Sequence, residues 1–236
     1  MQIIQESPNL YRLTQLRMFN CFLVQEEDGC TLIDTNIGGS AASVLRAAQS
    51  LGWPIRRILL THAHFDHVAS LDKLAEALPL VEVAIGKREA RFLQGDFSLD
   101  PLEHGKPLFG FRTVKTRFTR KLDDGEQVGS LLAISSPGHT PGHFSYFDIR
   151  DNTLIAGDSF ITQKGLVAAG VFSWFFPMPA LFSWNGSLCA RSAAKLRDLK
   201  PARLAVGHGD TLISPGLAMD RAVALAFQQH PDAATH

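Results

Sequence analysis

The stretch LLTHAHFDHVAS, residues 59–70, places His62, His64, Asp66 and His67 in one short run at the end of an apolar segment, IRRILL. The chain holds nine histidines among 236 residues. Three of them at fixed spacing with a carboxylate between is a pattern that scatter on a polar loop does not readily produce. In an extended or tightly looped segment, side chains at i and i+2 point the same way, so His62 and His64 can grip one ion. Asp66 and His67 follow in the turn and can reach a second. Hydrolytic metal chemistry requires this material: neutral imidazoles and carboxylates converging on an ion that keeps open coordination positions.

Further along, strand ends keep delivering the same residue types. IRRILL reads as a short apolar strand, followed by helices over 70–78 and 87–94 with the strand VEVAIG between them. Before it, residues 19–35 read as a hairpin turning at Glu27-Asp28-Gly29, and 40–51 as a helix with Ser40 as N-cap and Gly52 as its stop. In the second half, 112–117 and 131–135 read as strands, 187–199 and 215–229 as helices. His139 arrives from SPGHTPGH, a loop stiffened by Gly138 and Pro141; Asp158 from IAGDS, able to bridge two metals through its two oxygens; His208 from VGHGD. Five histidines and two carboxylates are enough for two ions. The pattern is α/β, with active groups on loops at strand ends, and a single domain over 1–236 is expected.

The motifs THAHFDH, PGHTPGH, AGDS and VGHGD, with LIDT at 32–35, together resemble the metallo-β-lactamase superfamily in kind and in order, over about residues 10 to 215. The resemblance implies a four-layer αβ/βα sandwich. It implies that His62, His64 and His139 hold a first metal, that Asp66, His67 and His208 hold a second, and that Asp158 bridges them. Two zinc ions are expected, with iron or manganese as other occupants. The implied activity is a hydrolase cleaving an ester, thioester or lactone bond with a metal-bound hydroxide, in which Asp66 also serves catalysis. The alternatives are a mononuclear iron persulfide dioxygenase and a β-lactam-hydrolysing member. His143 and Asp34 read as supporting residues rather than ligands. Acyl-homoserine lactonases place a tyrosine soon after the bridging aspartate, whereas here Ser159, Phe160 and Ile161 follow Asp158. Glyoxalase II uses basic contacts near its C-terminus, and Arg221 is the only Lys or Arg after His208.

Composition narrows the partners. The chain is 45% hydrophobic and 19% charged, with zero formal net charge and a pI near 7.1. No basic stripe or polybasic run points to nucleic acid or a membrane surface. No leader-like start and no long apolar run is read, and three cysteines without CxxC spacing suggest free thiols; a cytoplasmic protein is expected. The segment 160–184 carries Phe160, Phe172, Trp174, Phe175 and Phe176 close to Asp158. It reads as a wall for a small-molecule substrate with an apolar part, with core filling and a homodimer contact as the competing readings.

Overall fold

The computed structural model describes residues 1–174 and 177–235. Two compact units emerge, one made of Met1–Asp96 with Phe111–Leu122, the other of Phe97–Gly110 with Asp123 onward.

In the first unit, β1 (Gln2–Ser7), β2 (Leu10–Gln15), β3 (Phe19–Glu26) and β4 (Gly29–Ile33) form an antiparallel meander. The expected hairpin is present: Glu26 pairs with Gly29 across the Glu27-Asp28 turn. Then α1 (Ala41–Ser50) leads to β5 (Ile55–Leu60), α2 (Phe65–Val68) and α3 (Leu71–Ala77) to β6 (Glu82–Gly86), and α4 (Lys87–Leu93) towards β7 (Arg120–Leu122). These strands add in parallel, giving a seven-stranded sheet ordered β1 to β7. Ser40 does precede α1, but its side chain makes no capping bond; its N–H is taken by Ser70 Oγ at 3.0 Å. β5 lies between two parallel neighbours with Ile58, Leu59 and Leu60 fully buried, as an apolar strand covered on both faces should be. The register Ile33↔Leu59 puts the residues after β4 and β5, Asp34 and Thr61, side by side at the carboxyl ends of the strands, where parallel sheets present their functional loops.

The expected strand at 112–117 does not form. Its backbone donors are taken elsewhere: Arg112 N–H by Ala63 O, Val114 N–H by Leu93 O, and those of Lys115 and Thr116 by the Asp72 carboxylate. With those donors spent, no ladder remains to be made there, and pairing resumes only at β7.

In the second unit, β8 (Gln127–Val128), β9 (Leu131–Ser135), β10 (Phe144–Asp148) and β11 (Thr153–Ile155) run antiparallel. A small ribbon of β12 (Phe160–Ile161) and β13 (Val167–Ala168) follows, then α5 (Met178–Leu181), α6 (Gly186–Asp198), β14 (Arg203–Ala205), β15 (Leu212–Ile213) and α7 (Gly216–Gln229). A 3-10 turn covers Pro231–Thr235. The six-stranded sheet is ordered β15-β14-β11-β10-β9-β8, with β11 and β14 parallel. Helices α6 and α7 send Ala190, Ala193, Leu196, Met219, Ala222 and Ala226 into one apolar core with Leu154, Leu204 and Val206 of the sheet.

All three cysteines are free and buried. Cys30 pairs with Gln25, whereas Cys21 pairs with Leu13 further along β3, so the hairpin sets the two thiols on different rungs. Among the described residues no helix is long and apolar enough to cross a membrane.

Candidate metal centre

Each unit gathers candidate donors of its own. In the first, β5 ends at Leu60 and the next residues turn into α2, so His62, His64, Asp66 and His67 crowd the strand end. His62 and His64 rings meet edge to face at 4.7 Å between centroids, and His62 lies 4.1 Å from His67. A ring nitrogen of His62 lies within 4.8 Å of one on His64, and the same limit holds for Asp66 and His67. His62, His64 and His67 are all buried. Neutral imidazole is the form that ligates metals.

Asp34 organises this group. Its backbone sits at φ 58°, a left-handed conformation that aspartate tolerates better than most residues. One carboxylate oxygen accepts from Thr61 N–H at 2.8 Å. The other accepts from the Thr61 hydroxyl at 2.8 Å and from His67 Nδ1 at 2.7 Å. The Thr61 proton is therefore spent on Asp34, and its 2.9 Å contact with His62 Nδ1 requires that Nδ1 carry the hydrogen. His62 and His67 are thus held as the tautomers whose Nε2 carries no hydrogen and could serve a cation, with the orienting bond on the other nitrogen. The residue between the two histidines of HAH is clamped as well: Ala63 N–H donates to Glu89 Oε2 at 2.8 Å, and Ala63 O accepts from Arg112 N–H. The His64 ring rests edge-on against Phe111 at 4.9 Å.

In the second unit the parallel pair β11 and β14 does the positioning. Ile155 is paired with Ala205, so Asp158 and His208 stand the same distance beyond the paired ends. Gly207 N–H donates to Gly157 O at 2.8 Å and keeps the two extensions together. Asp158 Oδ2 lies 3.1 Å from His208 Nε2 and 3.4 Å from His139 Nε2. One carboxylate oxygen thus faces two imidazoles. His143 is no part of that cluster of ligand atoms. Its Nε2 accepts from the backbone N–H of Asp158 at 3.1 Å and its Nδ1 meets Ser136 Oγ at 2.9 Å, in keeping with a supporting role. His139 Nδ1 meets Ser183 Oγ at 3.2 Å. Gly138 has φ 134°, and a Cβ there would collide with the backbone of Cys189, so only glycine lets this loop lie against α6.

The aromatic segment divides. Phe160, expected from sequence in a pocket wall, is fully buried and packs in the apolar core of the second unit. Trp184 is buried too. Phe172 and Trp174 stack edge to face at 5.1 Å, and Trp174 is 88% exposed, which removes core filling as an account of that ring. Phe175 and Phe176 lie outside the described residues.

Sequence reading overlooked Thr61, Glu89 and Ser183. Glu89 did carry a signal: it sits on the buried face of α4 with Ala90, Phe92 and Leu93, and a carboxylate on an apolar stripe asks for a purpose. Serine and threonine beside glycines carry none.

The sequence profile of the metallo-beta-lactamase superfamily matches residues 16–208. An uncharacterized protein of Bacillus subtilis, YobT, is 46% identical over 206 residues, which are 86% of this chain and 88% of that protein. A probable metallo-hydrolase of the same organism, YflN, is 29% identical over 216 residues, 82% of this chain and 81% of the relative. Among solved structures, TTHA1623 in a di-iron-bound form is 25% identical with a TM-score of 0.64, covering 88% of this chain and 95% of that one. The family's donor set implies binding of divalent metal, and the residues gathered at the two strand-end clusters have the chemistry for it. With its profile running from before the HAHFDH run through to His208, the chain belongs to the metallo-beta-lactamase superfamily.

Proposed function

We propose that the chain is a dinuclear, zinc-dependent hydrolase that cleaves an ester, thioester or lactone bond in a small molecule with an apolar part. His62, His64 and His139 would hold one ion, Asp66, His67 and His208 the other, with Asp158 between them. The single observation that carries the reading is the orienting of ring nitrogens. His62, His67 and His139 each have Nδ1 engaged by an oxygen, from Thr61, Asp34 and Ser183 respectively, a pattern that prepares Nε2 for a metal. Family membership supports a metal-dependent hydrolase, and a profile that crosses both units supports one functional domain.

Ions bound there supply Lewis acidity and lower the pKa of a bound water towards neutrality. The protein's part is positioning and proton handling. Asp66 is less deeply buried than His62, His64 and His67, with 12% of its side chain exposed. It is the carboxylate placed to hold the proton of the attacking water and pass it to the leaving group. The backbone of Asp158 is held by His143, and Asp34 and Glu89 fix the HAHFDH residues within their own unit.

Metal analysis and turnover measured on the same sample test the proposal. Two metal equivalents per chain are expected, with hydrolysis in a panel of esters, thioesters and lactones. A firm value of one equivalent in metal-replete protein would sink the dinuclear reading. One iron with oxygen consumption on a persulfide would replace it with the dioxygenase.

Phe172 and Trp174 support the apolar part of the substrate assignment. Removing a large aromatic contact is worth about 1.5–3 kcal/mol, and each ~1.4 kcal/mol is about tenfold in affinity. Trp174→Ala is therefore expected to raise KM by about tenfold or more for substrates with an acyl chain or ring. Metal content and melting temperature should hardly change, because the ring is exposed. Unaltered KM with dissociation on size-exclusion chromatography would reassign Trp174 to a homodimer contact.

A further inference from the structure

The hydroxyl of Ser183 touches two things that the proposed function treats separately: the imidazole of His139 and the base of the segment carrying Phe172 and Trp174. Ser183 is buried. Its Oγ donates to Pro179 O at 2.6 Å, accepts from Gly170 N–H at 2.9 Å, and lies 3.2 Å from His139 Nδ1. A hydroxyl has one proton and two acceptor sites. A carbonyl can only accept, so the proton goes to Pro179. An amide N–H can only donate, so Gly170 fills one acceptor site. The remaining acceptor site faces both His139 Nδ1 and the Cys189 thiol, which also bonds Ser183; where His139 fills it, Nδ1 carries the hydrogen.

Gly170 and Pro179 bracket the exposed residues Phe172, Trp174 and Met178, and Gly170 N–H also reaches Pro179 O at 3.0 Å. The next residues bind the ligand loop directly: Trp184 N–H donates to His139 O at 3.0 Å and Asn185 N–H to Gly138 O at 2.9 Å. Asn185 then caps α6 through Leu188 N–H. The base of the apolar segment, the start of α6 and the ring of His139 therefore meet at one buried hydroxyl.

We propose that Ser183 is a positioning residue that couples the base of the Phe172 and Trp174 segment to the orientation of His139. The proposal rests on the reading of His139 as a metal ligand. Its consequence is reciprocal, as any coupling between two sites must be: metal held by His139 tightens the junction of Gly170, Pro179 and Ser183, and an ordered junction tightens metal retention.

Cys189 reports on that junction. A Cβ on Gly138 or on Gly170 would touch its sulfur, so the thiol lies under both. Burial pushes it up to about 12, and Cys30 in the first unit is likewise raised to about 12 by burial. Iodoacetamide labelling, resolved residue by residue by mass spectrometry, then distinguishes opening of the junction from general unfolding. In the wild-type chain, Zn2+ is expected to lower the labelling rate of Cys189 relative to Cys30 by about tenfold compared with chelated protein. In Ser183→Ala, zinc affinity should fall about tenfold or more, the range seen when an orienting partner is lost, and zinc should no longer change the ratio. Ser183→Thr keeps the hydroxyl and should restore both. A wild-type ratio that zinc leaves unchanged, in a sample whose zinc content is confirmed, overturns the proposal, and so does Ser183→Ala behaving as wild type. If Ser183→Ala fails to fold, the wild-type ratio alone decides. A wild-type chain that takes up no zinc overturns the metal reading instead.

Discussion

Asp158→Ala is expected to abolish hydrolysis and to strip metal from the chain. Asp158 sits beyond the end of β11 with its Oδ2 between His208 Nε2 at 3.1 Å and His139 Nε2 at 3.4 Å. Its position is set by the pairing of β11 with β14 and by the bond from its N–H to His143 Nε2. As the proposed bridge it is the one ligand whose loss weakens both ions at once. Metal ions contribute several kcal/mol of transition-state stabilisation, and ~4 kcal/mol is about a thousandfold in rate. The drop in kcat/KM should therefore be about a thousandfold or greater. Asp158→Asn keeps one ligating oxygen and loses the negative charge, so it should fall between alanine and wild type in metal content. His62→Ala removes a ligand to one proposed ion only and should leave about one equivalent bound. Elemental analysis of the three variants beside wild type checks the order. An Asp158→Ala protein with two equivalents and ordinary turnover would remove Asp158 from the site.

The proposed ligands stand out in the sequence for a physical reason. Strand ends position side chains rigidly, and the residues bearing the chemistry fall at fixed short distances from apolar runs: His62 two residues beyond β5, Asp158 and His208 three beyond β11 and β14. Asp-Gly between apolar segments marked the β3–β4 hairpin. What escaped is what local pattern cannot encode. The strand expected at 112–117 carries the β-branched residues Thr113, Val114 and Thr116, but its amides are claimed by Asp72 and Leu93, distant in sequence. Phe160 and Trp174 belong to one aromatic-rich stretch, yet one ring is fully buried and the other almost bare; periodicity is of little help where the backbone keeps changing direction. Ser183 acts on His139 across 44 residues of chain, a contact that only the packing of α6 against the His139 loop creates.

Asp34→Asn is expected to keep the fold and to lose one metal equivalent, the test of whether the buried carboxylate prepares the ligands or merely braces the sheet. The carboxylate accepts three bonds, from Thr61 N–H, the Thr61 hydroxyl and His67 Nδ1. An asparagine of the same shape can keep the bond from Thr61 N–H through its oxygen. Its NH2 then faces two groups that also donate. His67 can relieve the conflict by turning its tautomer, which moves the hydrogen to Nε2 and occupies the nitrogen a metal needs. The Thr61 proton must likewise turn away from residue 34, and turned towards His62 Nδ1 it would favour the other tautomer of that ring. Loss of an orienting partner typically lowers metal affinity 10–100-fold, and here two ligands share the same anchor. Asp34→Ala is harsher, because all three donors are left in a dry interior. Leaving a buried donor without its partner costs about 1–3 kcal/mol, so alanine should lower stability by about 3–5 kcal/mol, as breaking a buried ionic network does. Chemical denaturation with and without chelator separates the two effects. Asn should lose more of the metal-dependent stabilisation than of the metal-free stability, whereas Ala should lose both. An Asp34→Asn protein with two tightly held equivalents and wild-type kcat would show that His62 and His67 need no help from Asp34 to present their ligand nitrogens.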